Sequence, residues 1–356
     1  MPITGNKGEW SEIYTLFKLL GDGVVYAGDG EMNKIEHLYY PIMHVLRNEE
    51  RSYKYAPREN EGRMVVIYEE GVEVLRVSML SFAQMASRLL QSIQGARGRS
   101  FALPYVESFM DSVYCHTLKA RSVDKTDIRI VIHDLRTGTK PELGFSIKSQ
   151  LGSASTLLNP GMTTNFTYRV VGALSDEEIH RINRIEGQID RMSELFSTGA
   201  DIRFYRMDCE TFEDNLILID SCMPEIVAEC IKEHYLSGDN DLRDICEKVS
   251  ERNPMGIRNN QLYYKAKLKA LLIDSALGMT PATVWTGHYD ANGGYLVVRS
   301  DGEVLCYHFY DRNQLEDYLF KNTRLDYPSR SRYDYGYLYK QGNDLLIKLN
   351  LQIRFK

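Results

Sequence analysis

The sequence predicts an α+β fold: a mixed β-sheet flanked by helices, then a helical middle and a β-rich C-terminal part. Three observations carry this. Residues 125–152 alternate apolar and polar side chains on either side of a Thr-Gly-Thr-Lys-Pro turn, the period-two pattern of a hairpin. Residues 175–196 and 223–280 keep the apolar spacing of helices. From Thr283 the pattern returns to short strands, with Gly294–Arg299 and Glu303–Tyr310 around a Ser-Asp-Gly turn. The expected division is a core over 1–175, a helical region over 176–280 and a β-rich, Arg/Tyr-rich region over 281–356. No Pro/Gly/Ser linker separates the parts.

Composition sets the bounds. The 356 residues are 43% hydrophobic and 26% charged, enough for a large core and one to three domains. No apolar run approaches the ~20 residues of a membrane span, and the opening MPITGNKGEWSE has no apolar signal core. The six cysteines form no C-x-x-C pair, which argues against structural zinc and a disulfide scaffold and for a reduced cytoplasm. Net charge is −6, yet residues 321–356 carry eight Lys or Arg against three Asp. Charge segregated in this way lets an acidic protein bind DNA.

The elements follow in order. In residues 8–20, Trp10, Ile13, Phe17 and Leu20 share one stripe of an amphipathic helix, with Glu9 and Glu12 expected in its first turn. The Gly-Asp-Gly turns at 21–23 and 28–30 lack a following Lys-Ser/Thr and so form no phosphate loop. Residues 47–63 read as a solvated loop, 64–71 as a strand and 72–94 as a helix. Arg97 and Arg99 then sit in a glycine-bounded loop suited to clamping a phosphate or to a plain exposed connector. Residues 104–118 form a helix with proline in its first turn.

Past the central hairpin come a small-residue loop at 152–161, a strand at 165–172, a Ser175-capped helix at 175–196 and a strand at 201–207. Three helices follow at 223–236, 240–252 and 260–277, the last two separated by Asn253-Pro254-Met255-Gly256. A short helix at 314–322 and a hairpin pairing 337–339 with 345–355 end the chain. Tyr307 and Tyr310, at strand spacing, are expected to pack the sheet.

Folding the central hairpin about residues 138 and 139 pairs positions whose numbers sum to 277, so Asp127 faces Gln150. Asp127 then lies at the far end of the hairpin beside Ser146, Lys148 and Gln150, with Ser146 and Lys148 on one face. A carboxylate there suits Mg²⁺, which prefers oxygen ligands and keeps several waters. A lysine can orient an attacking water and offset charge on a phosphate. This is the chemistry of a metal-dependent nuclease; an ordinary edge hairpin with a solvated lysine would carry the same pattern.

Asp127…Ser146-Ile147-Lys148 resembles the Asp…(Asp/Glu)-x-Lys motif of the PD-(D/E)xK nuclease superfamily, with serine at the acid position. That departure leaves one or two metal ions open. Ser122-x-x-Lys125-x-Asp127 at the head of the strand also resembles restriction-enzyme sequences. The resemblance implies a first-helix glutamate reaching the metal site, and the Gly8-x-x-x-Glu12 spacing favours Glu12 over Glu9.

The loop from Arg324 to Tyr335 is the direct-readout candidate. Arginine pairs two-pronged with guanine O6 and N7, and aromatics stack on bases or sugars. Arg324, Arg330 and Arg332 are the candidate readers, with Tyr333 beside them. A tyrosine-rich β-surface with ordinary arginines is the alternative.

GNKGEWSEIYTLFKLL, DKTDIRIVIHD with GFSIKSQLGSASTLLN, and the closing IKLNLQIRF together resemble HpaII-type type II restriction endonucleases. The resemblance implies a PD-(D/E)xK core and Mg²⁺-dependent cutting of double-stranded DNA at the palindrome CCGG, after the first cytosine, leaving 5′-phosphates. It also implies a partner methyltransferase that protects the host site, in a bacterial cytoplasm. Asp127, Lys148 and the Ser146 position carry over directly, with Glu12 from the first helix and Gln150 as an accessory. A palindrome suits a two-fold homodimer. A DNA-binding protein with a degenerate site, and a repair or junction nuclease of the same superfamily, stay open.

Overall fold

The computed structural model describes residues 2–119 and 126–356. Ser122 and Lys125 of the restriction-enzyme-like stretch lie outside them.

The first half of the chain runs β1 (Thr4–Gly5), α1 (Lys7–Asp22), β2 (Val24–Gly28), β3 (Lys34–Asn48), β4 (Ser52–Arg58), β5 (Met64–Glu69), β6 (Val72–Ser78), α2 (Met79–Gly95), β7 (Phe101–Ala102), α3 (Pro104–Ser112), β8 (Ile128–Ile132) and β9 (Glu142–Ser149). Then come β10 (Thr156–Leu158), β11 (Asn165–Val171), α4 (Asp176–Asn183), α5 (Gln188–Ser197), β12 (Asp201–Met207), α6 (Glu210–Ile219), α7 (Met223–Ser237), α8 (Leu242–Arg252) and α9 (Asn260–Leu277). The chain closes with β13 (Gly294–Val298), β14 (Val304–His308), α10 (Arg312–Asn322), β15 (Thr323–Leu325), α11 (Arg330–Tyr333), β16 (Leu338–Gln341), β17 (Asp344–Asn350) and β18 (Ile353–Phe355). The α+β class holds.

Packing groups these elements into two units: the chain up to Ser155 with Tyr289–Tyr318, and Thr156–His288 with Leu319–Lys356. The stretch 281–356, read above as one β-rich region, is thus shared between them.

In the first unit, nine strands form one sheet in the order β2-β14-β13-β9-β8-β3-β4-β5-β6. β2 also pairs with β3, so the first six close into a ring. β13 runs parallel to β9 and β14 parallel to β2; the other pairs are antiparallel. α1 is its central helix. Asn6 caps it in a reciprocal box with Glu9, and Gly23 ends it at φ 71°, a left-handed conformation natural to glycine. Trp10, Ile13, Phe17 and Leu20 are buried as the stripe predicts, but so are Tyr14, Leu16 and Leu19. Phe17 meets Phe82 of α2 and Phe109 of α3 edge-on. Each such buried side chain contributes roughly 1.5–3 kcal/mol of transfer free energy.

Several expectations are corrected here. Residues 52–58 form β4 rather than a loop, with Tyr53 and Tyr55 buried on one face. Residues 72–78 form β6, paired with β5, and the helix starts only at Met79 with Ser78 as its cap. VEVLRVS alternates with period two, and its run into a helix masked that period. α3 stops at Ser112, short of 118. The helix expected at 175–196 is two, α4 and α5, with Gly187 as the N-terminal cap of the second. β18 leaves the last hairpin to pair with β10 and β15. Tyr307 is buried, but Tyr310 is 64% exposed and stacks on His308 instead.

In the second unit, β12-β11-β17-β16 form an antiparallel sheet. α7 packs against it, and the buried Tyr168 hydroxyl donates to the Ala228 carbonyl at 2.7 Å.

Candidate active site

The β8–β9 hairpin positions the first group of residues. Ile128, Ile130 and Ile132 face the core, which fixes the register of β8. Ile128 pairs with Phe145 and Val131 with Glu142. Paired numbers therefore sum to 273, not 277, a slip of four residues from the expected turn. An even slip keeps each side chain on its face and moves its neighbour. Asp127 consequently lies across from Ser146 rather than Gln150, and its N–H donates to the Phe145 carbonyl at 3.0 Å.

The Asp127 carboxylate is held by two donors. Ser146 Oγ donates to Oδ2 at 3.1 Å and the Ile147 N–H donates to the same oxygen at 2.7 Å. Among the described residues Oδ1 has no hydrogen-bond partner. Lys148 is two residues along the strand from Ser146. On its other side β9 pairs with β13, Tyr295 opposite Ser146 and Val297 opposite Lys148. The Lys148 ammonium lies 5.1 Å from the centroid of the buried Tyr295 ring. Burial lowers the proton affinity of Lys148, and the carboxylates of Asp127 and Glu12 partly oppose this.

α1 supplies the second group. Ser11 Oγ and Ser149 Oγ lie 2.8 Å apart and tie the helix to β9 one residue from Glu12 and one from Lys148. Glu12 is half-buried; its carboxyl is pushed up to about 8, first by burial and then by the charge of Asp127. Glu9 is spent elsewhere, accepting from the Asn6 N–H at 2.8 Å and facing Lys119 at 3.5 Å. The helix starts at Lys7, so Glu12 stands in its second turn, on the cleft side.

That cleft has a volume of about 700 Å³ and is lined by Glu12, Ile147 and Ser149 together with Lys7, Arg99 and Ser153. Gln150 does not join the group: its amide donates to Met32 Sδ and accepts from the Ser300 N–H, both at 3.3 Å. Arg97 is exposed.

Of the readout candidates, Arg324 bridges to Asp241 through the backbone and faces Asp326 at 3.6 Å. Arg330 donates to the Glu186 carbonyl and lies over the Tyr337 ring. Arg332 is exposed, 5.4 Å from the ring of Tyr333. Sequence reasoning missed Tyr295 and the Ser11–Ser149 tie, because both depend on strand and helix neighbours far apart in the chain.

Among the described residues no group of three or more His, Cys, Asp or Glu gathers as a metal cluster. The site offers two carboxylates, Asp127 and Glu12. Burial first and then the charge of Asp127 raise the Glu12 carboxyl, and a hard divalent cation would offset both. Two carboxylates completed by water and substrate oxygens fit Mg²⁺.

Asp127 and Lys148 on the hairpin, with Glu12 of α1 nearby and Lys7 and Arg99 on the adjoining cleft, are compatible with a site-specific endonuclease, the class that comparison with known proteins shows. The chain matches the HpaII restriction endonuclease family over residues 6–355. It is 46% identical to the type II restriction enzyme HpaII of Haemophilus parainfluenzae over 358 aligned residues, covering 99% of each chain. No solved structure matches it. The chain belongs to the HpaII restriction endonuclease family.

Proposed function

We propose that this enzyme hydrolyses double-stranded DNA within the palindrome CCGG, with Mg²⁺, leaving 5′-phosphates, and that its core is of the PD-(D/E)xK kind. The observation that carries the proposal is Asp127, held on Oδ2 by Ser146 and Ile147, with Lys148 two residues further along the same strand and Glu12 electrostatically coupled to both. The family resemblance supplies the sequence CCGG.

Asp127 and Glu12 would hold the metal, which would polarise the phosphate and make an attacking water more acidic. The chain's own residues do the rest. Ser146 and the Ile147 N–H keep the Asp127 carboxylate oriented. Lys148, partly desolvated over Tyr295, orients the water and offsets negative charge as it develops. The water oxygen bonds to phosphorus in line as the P–O3′ bond breaks; the attacking water loses its proton to solvent, the 3′-oxygen takes one from solvent, and the phosphate stays on the 5′-oxygen. Lys7 and Arg99 on the cleft suit the neighbouring backbone phosphates. The exposed Arg332 of α11 and Arg97 remain candidate DNA contacts; Arg324 and Arg330 would first have to exchange their protein partners.

A palindromic site suits a homodimer with one active site per strand. The system partner would be a methyltransferase protecting the same site in a bacterial cytoplasm. No helix among the described residues is long and apolar enough to cross a membrane. The test is a digest of a plasmid with mapped CCGG sites, in Mg²⁺ and in chelator. Mg²⁺-dependent fragments that match the CCGG map are expected. Fragments at another sequence would refute CCGG, and absence of cutting would refute the active-site reading.

A further inference from the structure

The outward face of the β12-β11-β17-β16 sheet carries a cluster that the active site does not use. Arg169 pairs with Arg203 across β11 and β12, and Thr167 pairs with Arg206. All three arginines therefore leave the sheet on one side. Between these pairs the register slips: Tyr168 faces Phe204 and Thr167 faces Arg206, so Tyr205 has no partner on β11. This is a bulge in an edge strand, a device that re-aims a side chain. Tyr205 is 43% exposed, and its ring lies 4.5 Å from the Arg169 guanidinium and 5.5 Å from that of Arg206.

Packing does not account for this arrangement. Like charges directly opposite each other destabilise a sheet, and two guanidinium groups on one ring repel. Arg203 is exposed and forms no hydrogen bond or ion pair with the described residues. Arg206 reaches only Gln341 Oε1 at 3.4 Å, and Arg169 pairs with the exposed Asp344 at 3.1 Å. On the same face Lys348 is held by Asp208 at 2.8 Å, and Asp201, at the end of β12, by Lys232 at 2.6 Å. Among the described residues neither Arg203 nor Arg206 forms an ion pair; Asp201, which also feels the charge of Arg203, is taken by Lys232. The bulge and the tyrosine ring fix the direction of two forks, which reduces the side-chain entropy lost on binding. A planar fork beside a stacking ring matches the acceptors of nucleic acid, either phosphate oxygens or the O6/N7 edge of guanine.

We propose that this face is a DNA-contact surface of the enzyme, on which Arg169, Arg203 and Arg206 engage acceptors of the duplex and Tyr205 clamps the first and last of them. The proposal rests on the chain's being a restriction endonuclease, so that duplex DNA is its substrate. It adds a basic site on strands to the candidate arginines of β15 and α11.

The test is fluorescence anisotropy in chelator, over a series of salt concentrations, on a short duplex carrying CCGG and on its scrambled counterpart. The wild type is compared with the Arg169→Ala/Arg206→Ala double variant, Arg203→Ala, Tyr205→Phe and Tyr205→Ala. The substituted side chains are exposed, and an unchanged Tm shows that the fold is kept. The double variant should bind roughly 10-fold more weakly or worse. A loss on both duplexes, with a salt slope lower by about 2, identifies phosphate contacts; a loss confined to the CCGG duplex identifies base-edge contacts. Tyr205→Phe should bind like the wild type and Tyr205→Ala should not. Affinity and slope unchanged in the double variant, beside a wild type that binds, overturn the proposal. A wild type that binds neither duplex overturns the DNA reading of the whole chain as well.

Discussion

Ser146 donates its hydroxyl to Asp127 Oδ2 at 3.1 Å, across from it on the neighbouring strand. In the proposed PD-(D/E)xK reading, the residue at the motif's second acid position therefore supports the first one. With the Ile147 N–H on the same oxygen, the carboxylate is oriented before any cation or substrate arrives. The second carboxylate comes instead from α1, as Glu12.

Ser146→Ala leaves one of the two donors. A hydrogen bond to a charged group contributes about 1.5–3 kcal/mol, so the single-turnover cleavage rate at saturating DNA should fall roughly 10- to 100-fold. Affinity for DNA in chelator should stay within about 2-fold, since each 1.4 kcal/mol is a factor of ten. An unchanged rate would mean that the Ser146 bond does no positioning.

Glu9 and Glu12 should separate cleanly. Glu9→Ala breaks the capping box of α1 and should cost about 1 kcal/mol of stability, a Tm loss of roughly 2–4 °C, with cleavage retained. Glu12→Ala should keep the fold and lose cleavage. The reverse pattern would put the metal-side glutamate at position 9.

Glu12 also sets a pH dependence. Its carboxyl is raised from the ordinary 4.5 to about 8 by burial and by Asp127. Between those values the native state holds a proton that the unfolded chain has released, so this group makes stability fall as pH rises through the window. Thermal unfolding in chelator should show that fall in the wild type and a flatter profile in Glu12→Gln. Mg²⁺ should raise the wild-type Tm most near pH 8 and leave the variant largely unmoved. Parallel pH profiles for the two proteins would contradict the buried, repelled carboxyl.

Arg47 and Glu49 form a buried ion pair at 2.6 Å, their side chains only 7% and 4% exposed. Glu49 also accepts the N–H groups of His116 and Thr117. Glu49→Ala would strand a buried guanidinium and should cost about 3–5 kcal/mol in denaturant unfolding. A loss below about 1 kcal/mol, the range of exposed pairs, would show the site to be wetter than its packing indicates.

The strands of the candidate site were more legible in the sequence than their register. Period-two alternation located β8 and β9, and with them Asp127, Ser146 and Lys148, because one face of each strand must be buried. The partner of Asp127 was misjudged by four residues, since the turn begins earlier than its Gly-Thr-Lys-Pro chemistry suggests and local sequence does not fix where a hairpin tightens. α7, α8 and α9 were readable from apolar spacing and their Gly and Asn stops. β6 was lost because VEVLRVS runs without a break into α2, and β4 because its lysine, proline and arginine imitate a loop. The arginines at 324 and 330 looked free in sequence and are bound to protein partners in the fold. The stack of Arg169, Tyr205 and Arg206 depends on a strand pairing and a bulge, which no local pattern signals.

The most direct test of the account is Lys148→Ala, with cleavage and binding measured on the same CCGG duplex. The account predicts a cleavage rate in Mg²⁺ lower by about 10³-fold or more, with DNA affinity in chelator essentially that of the wild type. A variant that cuts at the wild-type rate would contradict it, and the catalytic lysine would have to be sought elsewhere in the chain.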